Sequence, residues 1–505
     1  MVHYDPMITL GIDSGTQSTK TIALDITTGQ ILASAQQSYG FVPTHEEGAM
    51  EQDPSLWITA VETTITEVLE KLGVRRSEVA GIGVSGQQHG LVLLDDQGEV
   101  VRPAKLWCDT STVTQCKELT EQLGGEESVV ALIGNAMLPG YTAPKILWVY
   151  QNEPENWAKT ASVLLPHDYI NWWLTGNLSM EYGDASGTAL LDVATRTWSQ
   201  PVLEAVAPAL EEKLPPLRSS SEPAGKLRAE LMTYWQLTQN ITVSAGGGDN
   251  MMGAIGTGNV RPGIMTASLG TSGTLYAFSE TPVVDPQGEI AAFCDSTGYW
   301  MPLACTMNVT LVTELTRALF PGWSHLIYDT QAATVPAGSD GLLLLPYLAG
   351  ERTPNLPRGC GVLHGITTKN LTAPHLARAA MEGVTLGLAY GLDRFRALGV
   401  TPTEIRITGG GSQSQFWRQL CADIFGVPTV CLTSSEGAAL GAAIQAAWST
   451  LEHPSTEVLH SLCDQLGTLD ESTRCLPDPT NGEIYKKLLE RANTLRNTLT
   501  QANLL

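Results

Sequence analysis

Two stretches of this 505-residue chain share one shape: GIDSGTQSTKTIALD, beginning at Gly11, and ASLGTSGTLYAF, beginning at Ala267. Each predicts a strand, a tight Gly/Ser/Thr turn and a second strand. Superposed on Gly15-Thr16 and Gly270-Thr271, they differ at one telling place: Asp13 stands where the second stretch has Ser268. Small residues let backbone N–H groups approach a phosphate closely, and hydroxyls add donors. A carboxylate beside such a loop can hold the magnesium that accompanies a nucleotide. One copy alone also reads as an ordinary hairpin turn. Two copies, in the two halves of the chain, point to a duplicated fold whose half-sites form one nucleotide cleft.

The flanking segments fit that reading. ITLGID and TIALDITTGQILASAQQ read as an antiparallel meander. In MEQDPSLWITAVETTITEVLEKLG, Asp53 is an N-cap, Pro54 the first helical residue, and Trp57, Val61, Ile65 and Val68 fall at helical spacing. AGIGVS and GLVLLD are strands on either side of Gly86-Gln87-Gln88-His89, and 109–213 reads as mostly helical. ITVSAG is a strand running into GGGDN. In the second half EIRIT runs into Gly409-Gly410-Gly411, and SQSQFWRQLCADIFG is a helix with Ser412 and Gln415 as a capping box. Strand–loop–strand plus helices, repeated, predicts two duplicated α/β domains around a central cleft. The expected divisions are 1–246, 247–450 and a polar helical tail, 451–505.

The formal net charge of −23 opposes nucleic acid and anionic membrane surfaces. It also repels phosphates, so a phosphate site must lean on backbone amides and magnesium. Nine dispersed cysteines without CxxC pairs suit a reducing, cytoplasmic setting. MVHYDPMITL lacks a signal-peptide pattern, and the aliphatic run 342–345 stops at Pro346, far short of a membrane span. The expected partners are therefore small molecules, with neither nucleic acid nor membrane; a homodimer is compatible with the chain.

Among single residues Asp249 stands out. A strand and three glycines deliver it to the start of NMMGAIG, where a helix N-terminus holds a carboxylate ionised. It can accept a proton from a hydroxyl attacking phosphorus, or it can be an ordinary N-cap. His89, in GQQHG, lies in a polar cluster suited to a polyol, or is a turn histidine. Lys20 reads as a solvated strand face, because GxxxxGK[ST] is absent. Gly409–Gly411 either meets a nucleotide at a helix start or makes a tight turn. GAALGAAIQAA, from Gly437, has the small-residue spacing of close helix packing, or walls an adenine pocket.

These residues lie in motifs that resemble the FGGY carbohydrate kinase family across nearly the whole chain, and most closely its xylulokinase branch. GYTAPKILWVYQN (140–152) and GVLHGITTKNLTAPHLARAAME (361–382) fit the two family signatures. GIDSGT, EQDP, SGQQHG, LLPHDY, GDASGT, AGGGDN, SLGTSG, LLPYLAGERTP and GGGSQSQFWRQ are further similar stretches. The resemblance implies two actin/hexokinase-like (ribonuclease H-like) domains that close over MgATP and a sugar. It implies ATP-dependent phosphorylation of a ketopentose, D-xylulose to its 5-phosphate, with ribulose, fuculose or gluconate, or non-catalytic ATP binding, as alternatives. Asp249 would be the catalytic base and Asp13 an acid near magnesium, acting through water. Gln88, His89, Trp107, Asp109, Thr142 and Asn250 would line the sugar site with Asp249. Gly15, Thr16, Gln17, Ser18, Gly270, Thr271, Ser272, Gly409, Gly410 and Gln413 would meet the nucleotide. Two positions depart from the family pattern. Gln88 stands where a GQMHG motif has Met, and Trp107-Cys108-Asp109-Thr110-Ser111 stands for a WNDGR-like stretch, which removes a bidentate cation at 111.

Overall fold

The computed structural model describes residues 7–505 except 45, 239, 452 and 453. The start of the stretch examined for a signal segment, 1–6, lies outside them. The chain forms two compact units, and neither is a continuous segment. One comprises Met1–Val260, Ser279–Pro302 and Glu436–Thr468; the other comprises Arg261–Phe278, Leu303–Ser435 and Leu469–Leu505. The expected divisions at 246 and 450 are consecutive along the chain, whereas the units exchange segments. The tail is shared too. The helix Thr456–Leu466 belongs to the first unit, and the strand Leu469–Cys475 and helix Pro479–Gln501 belong to the second.

In the first unit a mixed sheet runs Gly225–Lys226, Thr242–Val243, Val79–Gly86, Ile8–Ser14, Ser18–Asp25 and Ile31–Ser38, with Gly247–Gly248 pairing Val79–Gly86. Ile8–Ser14, Ser18–Asp25 and Ile31–Ser38 form the expected antiparallel meander. Ile8–Ser14 also pairs in parallel with Val79–Gly86, where Gly11 faces Gly83. Strand alternation divides this sheet into two faces. Ile8, Leu10 and Ile12 share a buried core with Trp57, Val61, Ile65 and Val68 of the helix Pro54–Leu72. That helix begins as the sequence predicts: the Asp53 carboxylate accepts from Ser55 N at 2.9 Å, and Pro54 is its first residue. Gly11 and Gly83 open the other face to the helix Gly437–Ser449. A Cβ at Gly11 would collide with the Ala439 carbonyl oxygen, and one at Gly83 with that of Ala442.

The second unit repeats the plan. Its sheet runs Leu303–Thr306, Gly273–Ala277, Ile264–Leu269, Glu404–Thr408, Thr429–Leu432 and Leu469–Cys475. The first three strands are antiparallel, and Ile264–Leu269 then pairs in parallel with Glu404–Thr408. The duplicated α/β fold is thus present in both units. The helix after the glycine run is Gln415–Phe425, and its N-cap is Ser414, whose hydroxyl accepts from Trp417 N at 3.0 Å. Ser412 instead donates to the Gly409 carbonyl at 2.7 Å inside the preceding turn, so the N-cap lies two residues past Ser412 and the expected capping box with Gln415 is not formed. The helix Pro479–Gln501 is anchored through Tyr485, whose hydroxyl accepts from Arg378 at 2.7 Å and donates to Glu382 at 2.9 Å.

Candidate functional site

In the first unit the strands Ile8–Ser14, Val79–Gly86 and Gly247–Gly248 lie side by side in parallel. Ser85 is the register partner of both Asp13 and Gly247, and Gly86 faces Gly248. Their carboxyl ends therefore bring Asp13, Gln87-Gln88-His89 and Asp249 to one edge, where open α/β sheets bind ligands. The glycine run before Asp249 is needed for this pairing. Gly246 has φ +72°, and a Cβ at Gly248 would lie 2.6 Å from Gln88 Cγ.

Asp249 is the first residue of the helix Asp249–Gly256, and Gly248, not Asp249, is its N-cap. The carboxylate accepts from Asn250 N at 2.8 Å and Asn250 Nδ2 at 3.0 Å. It is half-buried. Burial, then the charge of Asp13, push its pKa to about 7; Asp184 adds to the rise and the Asn250 hydrogen bonds oppose it. Asp13 accepts from Ser85 Oγ at 3.0 Å. Burial pushes its pKa to about 6 against that hydrogen bond, with Glu436 raising it and Lys20 lowering it. Two carboxylates at one strand edge thus titrate close to neutrality, as acid–base groups do.

Lys20, set aside from the sequence, is part of this neighbourhood. It is the register partner of Asp13, and its Nζ lies 2.5 Å from Glu436 Oε1. The signal for it was available: Asp13 and Lys20 are equidistant from the centre of the turn, so hairpin register alone places them opposite one another.

The first glycine loop is tied into a network that motif reading missed. Gly15 N donates to the Ser18 carbonyl at 3.0 Å and closes the turn, so that amide is already used. Thr16 Oγ1 accepts from Trp107 Nε1 at 2.9 Å and donates to Gln87 Oε1 at 3.3 Å. Gln52 Nε2 donates to the Thr16 carbonyl at 2.6 Å, and Gln52 Oε1 accepts from Gln87 Nε2 at 3.1 Å and Trp57 Nε1 at 3.0 Å. Gln17 is exposed, and Ser18 Oγ accepts from Gln36 at 2.9 Å.

His89 has φ +64°. Its ring meets Tyr141 edge-on, centroids 4.9 Å apart, and Phe293 at 5.8 Å. Its carbonyl accepts from Lys145 Nζ at 2.8 Å and Thr142 Oγ1 at 3.2 Å. Thr142, expected at the sugar, thus lies against the His89 backbone. Asp109 is fully buried: it accepts from Met50 N at 3.0 Å, from Ser111 N at 2.9 Å and Oγ at 2.6 Å, and from Lys105 Nζ at 3.3 Å. Lys105, also fully buried, lies 3.2 Å from Glu51 and 3.9 Å from the Trp148 ring centroid. A buried carboxylate is stabilised by a nearby cation, and Lys105 lies beside Asp109.

In the second unit the Gly270–Ser272 turn joins Ile264–Leu269 to Gly273–Ala277. The Gly270 carbonyl accepts from Thr310 N at 2.9 Å and that of Thr271 from Val309 N at 3.1 Å, which locks the turn to the start of the helix Thr310–Ala318. Gly409, with φ +82°, folds back on this loop; a Cβ there would lie 2.7 Å from the Leu269 carbonyl oxygen. Gly410, Gly411 and Gln413 line a cavity of about 530 Å³, with Thr310, Thr313, Arg317, Tyr328, Asp329 and Trp417 among its other walls. Concave pockets of this size take nucleoside-sized ligands. Gly409 supports the wall without being part of it.

A two-unit α/β fold with a partly buried carboxylate at a strand edge has the architecture of a sugar-kinase-type phosphotransferase. The chain belongs to the FGGY family of carbohydrate kinases. The family's N-terminal domain model matches residues 8–256 and its C-terminal domain model residues 265–450. The xylulose kinase of Haemophilus influenzae is 42% identical over 489 residues, 95% of this chain and 98% of that protein. The xylulose kinase of Lactococcus lactis is 36% identical over 95% of each. The crystal structure titled a xyloylose kinase from Brucella ovis superposes with a TM-score of 0.91 at 31% identity, covering 98% of this chain and all of that one. No helix of the described residues is long and apolar enough to cross a membrane.

Proposed function

We propose that this chain transfers the γ-phosphoryl group of ATP to D-xylulose, giving the 5-phosphate. The observation that carries the reading is Asp249: a half-buried carboxylate with pKa about 7, at a strand edge shared with Gln88 and His89. The full-length relatives named as xylulose kinases supply the sugar. The terminal hydroxyl of the ketose attacks the γ-phosphorus as its proton passes to Asp249, the oxygen–phosphorus bond to ADP breaks, and ADP leaves. Gln88, His89 and Trp107 orient the sugar. Asn250 holds the Asp249 carboxylate, while Thr142 and Asp109 fix the loops that carry His89 and Trp107. The cavity lined by Gly410 and Gln413 takes the nucleoside, and Gly270, Thr271, Ser272, Thr16, Gln17 and Ser18 contact the phosphates.

Asp13 is the residue suited to magnesium. Among the described residues no cluster of three or more His, Cys, Asp or Glu could hold a metal. A lone carboxylate fits an ion that brings its other ligands as water and phosphate oxygens. When bound, magnesium neutralises phosphate charge.

A panel of ketoses and polyols with ATP and magnesium, read by ADP release, tests the substrate. D-xylulose should give the highest kcat/KM. Faster phosphorylation of ribulose, fuculose or gluconate overturns that choice, and ADP release unaffected by any sugar overturns the kinase reading. The pH profile tests the base. Asp249 must be ionised to accept a proton, so kcat/KM for the sugar should fall as pH drops through about 7, tenfold per unit well below it. A kcat/KM independent of pH from about 5.5 to about 8.5 would count against this role.

A further inference from the structure

Gln88 occupies a position that the proposed function assigns to the sugar, yet its hydrogen bonding points to the base. Its side chain is 5% exposed. Gln88 Oε1 accepts from Asn250 Nδ2 at 2.9 Å, and the same nitrogen donates to Asp249 Oδ1 at 3.0 Å. The orientation of both amides follows from chemistry. An ionised carboxylate only accepts, so Asn250 must turn its nitrogen toward Asp249. That nitrogen also meets Gln88, which must therefore present its oxygen. Gln88 Nε2 is then directed elsewhere, and it is buried with no hydrogen-bond partner among the described residues. Leaving a buried donor unmade is costly, and a side chain such as methionine would fill this place without that cost. The amide is held at a net disadvantage unless its oxygen, its nitrogen or both are used.

We propose that Gln88 is a positioning residue for catalysis: through Asn250 it fixes the Asp249 carboxylate in the orientation that receives the substrate proton. This rests on the reading of Asp249 as base. Gly248 keeps the two ends of the relay in register, because only a residue without Cβ lets the Gln88 stem lie against the strand that delivers Asp249. Freed from Gln88, the Asn250 amide gains rotamers, and Asp249 loses a fixed partner on one oxygen. Loosening a reacting group by a fraction of an ångström lowers turnover without weakening nucleotide binding.

A double-mutant cycle between Gln88→Met and Asn250→Ala tests this, with kcat, the KM for sugar, the KM for ATP and Tm measured for each variant. Gln88→Met should lower kcat by roughly fivefold to tenfold when Asn250 is present, and by less than about twofold in the Asn250→Ala background, because both changes cut one path. The KM for ATP should stay within about twofold throughout. Any rise in the KM for sugar, from loss of the Nε2 donor, should be the same in both backgrounds. Equal factors in kcat in both backgrounds, or no loss at all, overturn the proposal. Gln88→Leu is the second variant; a loss of kcat that comes with a collapse of Tm in both also counts against it. The cycle uses whichever sugar the wild-type enzyme turns over fastest. A preferred sugar other than D-xylulose therefore overturns the substrate and leaves the relay standing. Turnover retained by Asp249→Asn overturns the base and the relay together.

Discussion

Asp249→Asn should lower kcat by about a thousandfold, the middle of the range for removing a general base, while the protein folds normally and still binds ATP. Asparagine has the same shape and retains one oxygen that can accept from Asn250, as the carboxylate does at 2.8 and 3.0 Å. What it loses is proton affinity. The variant also removes a charge that is costly where it stands. Burial and Asp13 both raise the Asp249 pKa, so the ionised carboxylate is held against its preference. Its folded-state pKa lies above the unfolded one, so stability is lost as pH rises from the ordinary carboxylate value of 3.8 to about 7, and the loss is complete above that. Tm at pH 8 should therefore hold or rise in the variant as activity disappears. Stability and activity moving in opposite directions separates a chemical role from a structural one. A kcat within about tenfold of wild type, or a fall of many degrees in Tm, would place Asp249 outside the chemistry.

The second large effect concerns two glycines four residues apart in one helix. Gly441→Ala should destabilise the fold by more than about 3 kcal/mol, because the added methyl meets backbone and not a yielding side chain. A Cβ at Gly441 would collide with the Met252 carbonyl oxygen and lie 2.8 Å from Gly256 N. Both belong to the helix that starts at Asp249. Gly437→Ala, in the first turn of the same helix, should hold or raise stability, since a Cβ there has nothing within 4 Å and alanine favours helix by up to about 1 kcal/mol. Thermal melts of the pair decide the matter. If both are tolerated, the packing is looser than described. Where Gly441→Ala still folds, kcat should suffer as well, because the helix that moves begins at Asp249, the proposed base.

These two effects mark what could and could not be read from the chain. Small residues at helical spacing from Gly437 announced close packing, and that much was legible without knowing the partner. The partner helix and the strand glycines Gly11 and Gly83 are more than 180 residues away, and no local pattern links them. Asp249 was legible because a strand, a glycine run and a helix start are all local signals. The alternative of an ordinary N-cap yielded only when the structure placed Gly248 at the cap. Hairpin register places Lys20 opposite Asp13, but its ion pair with Glu436, 416 residues away, has no local signal. Gln52 and Gln87 lie in the EQDP and SGQQHG motifs, but that they hold Thr16 depends on contacts 36 and 71 residues apart that no local pattern shows. The divisions at 246 and 450 follow the sequence consecutively, whereas Ser279–Pro302 and Glu436–Thr468, which lie between segments of the second unit, belong to the first.

That recruitment has a consequence for how the molecule is made. The face of the first sheet opened by Gly11 and Gly83 is covered by residues 437–449, whereas the strands themselves are complete by residue 86. At roughly 5–20 residues per second, a ribosome takes many seconds to deliver the covering helix after the strands emerge. Until then the nascent chain presents a grooved apolar surface with nothing to close it. Truncated chains ending before residue 437 should be captured by chaperones or aggregate, and the interval before release is when this enzyme is most vulnerable.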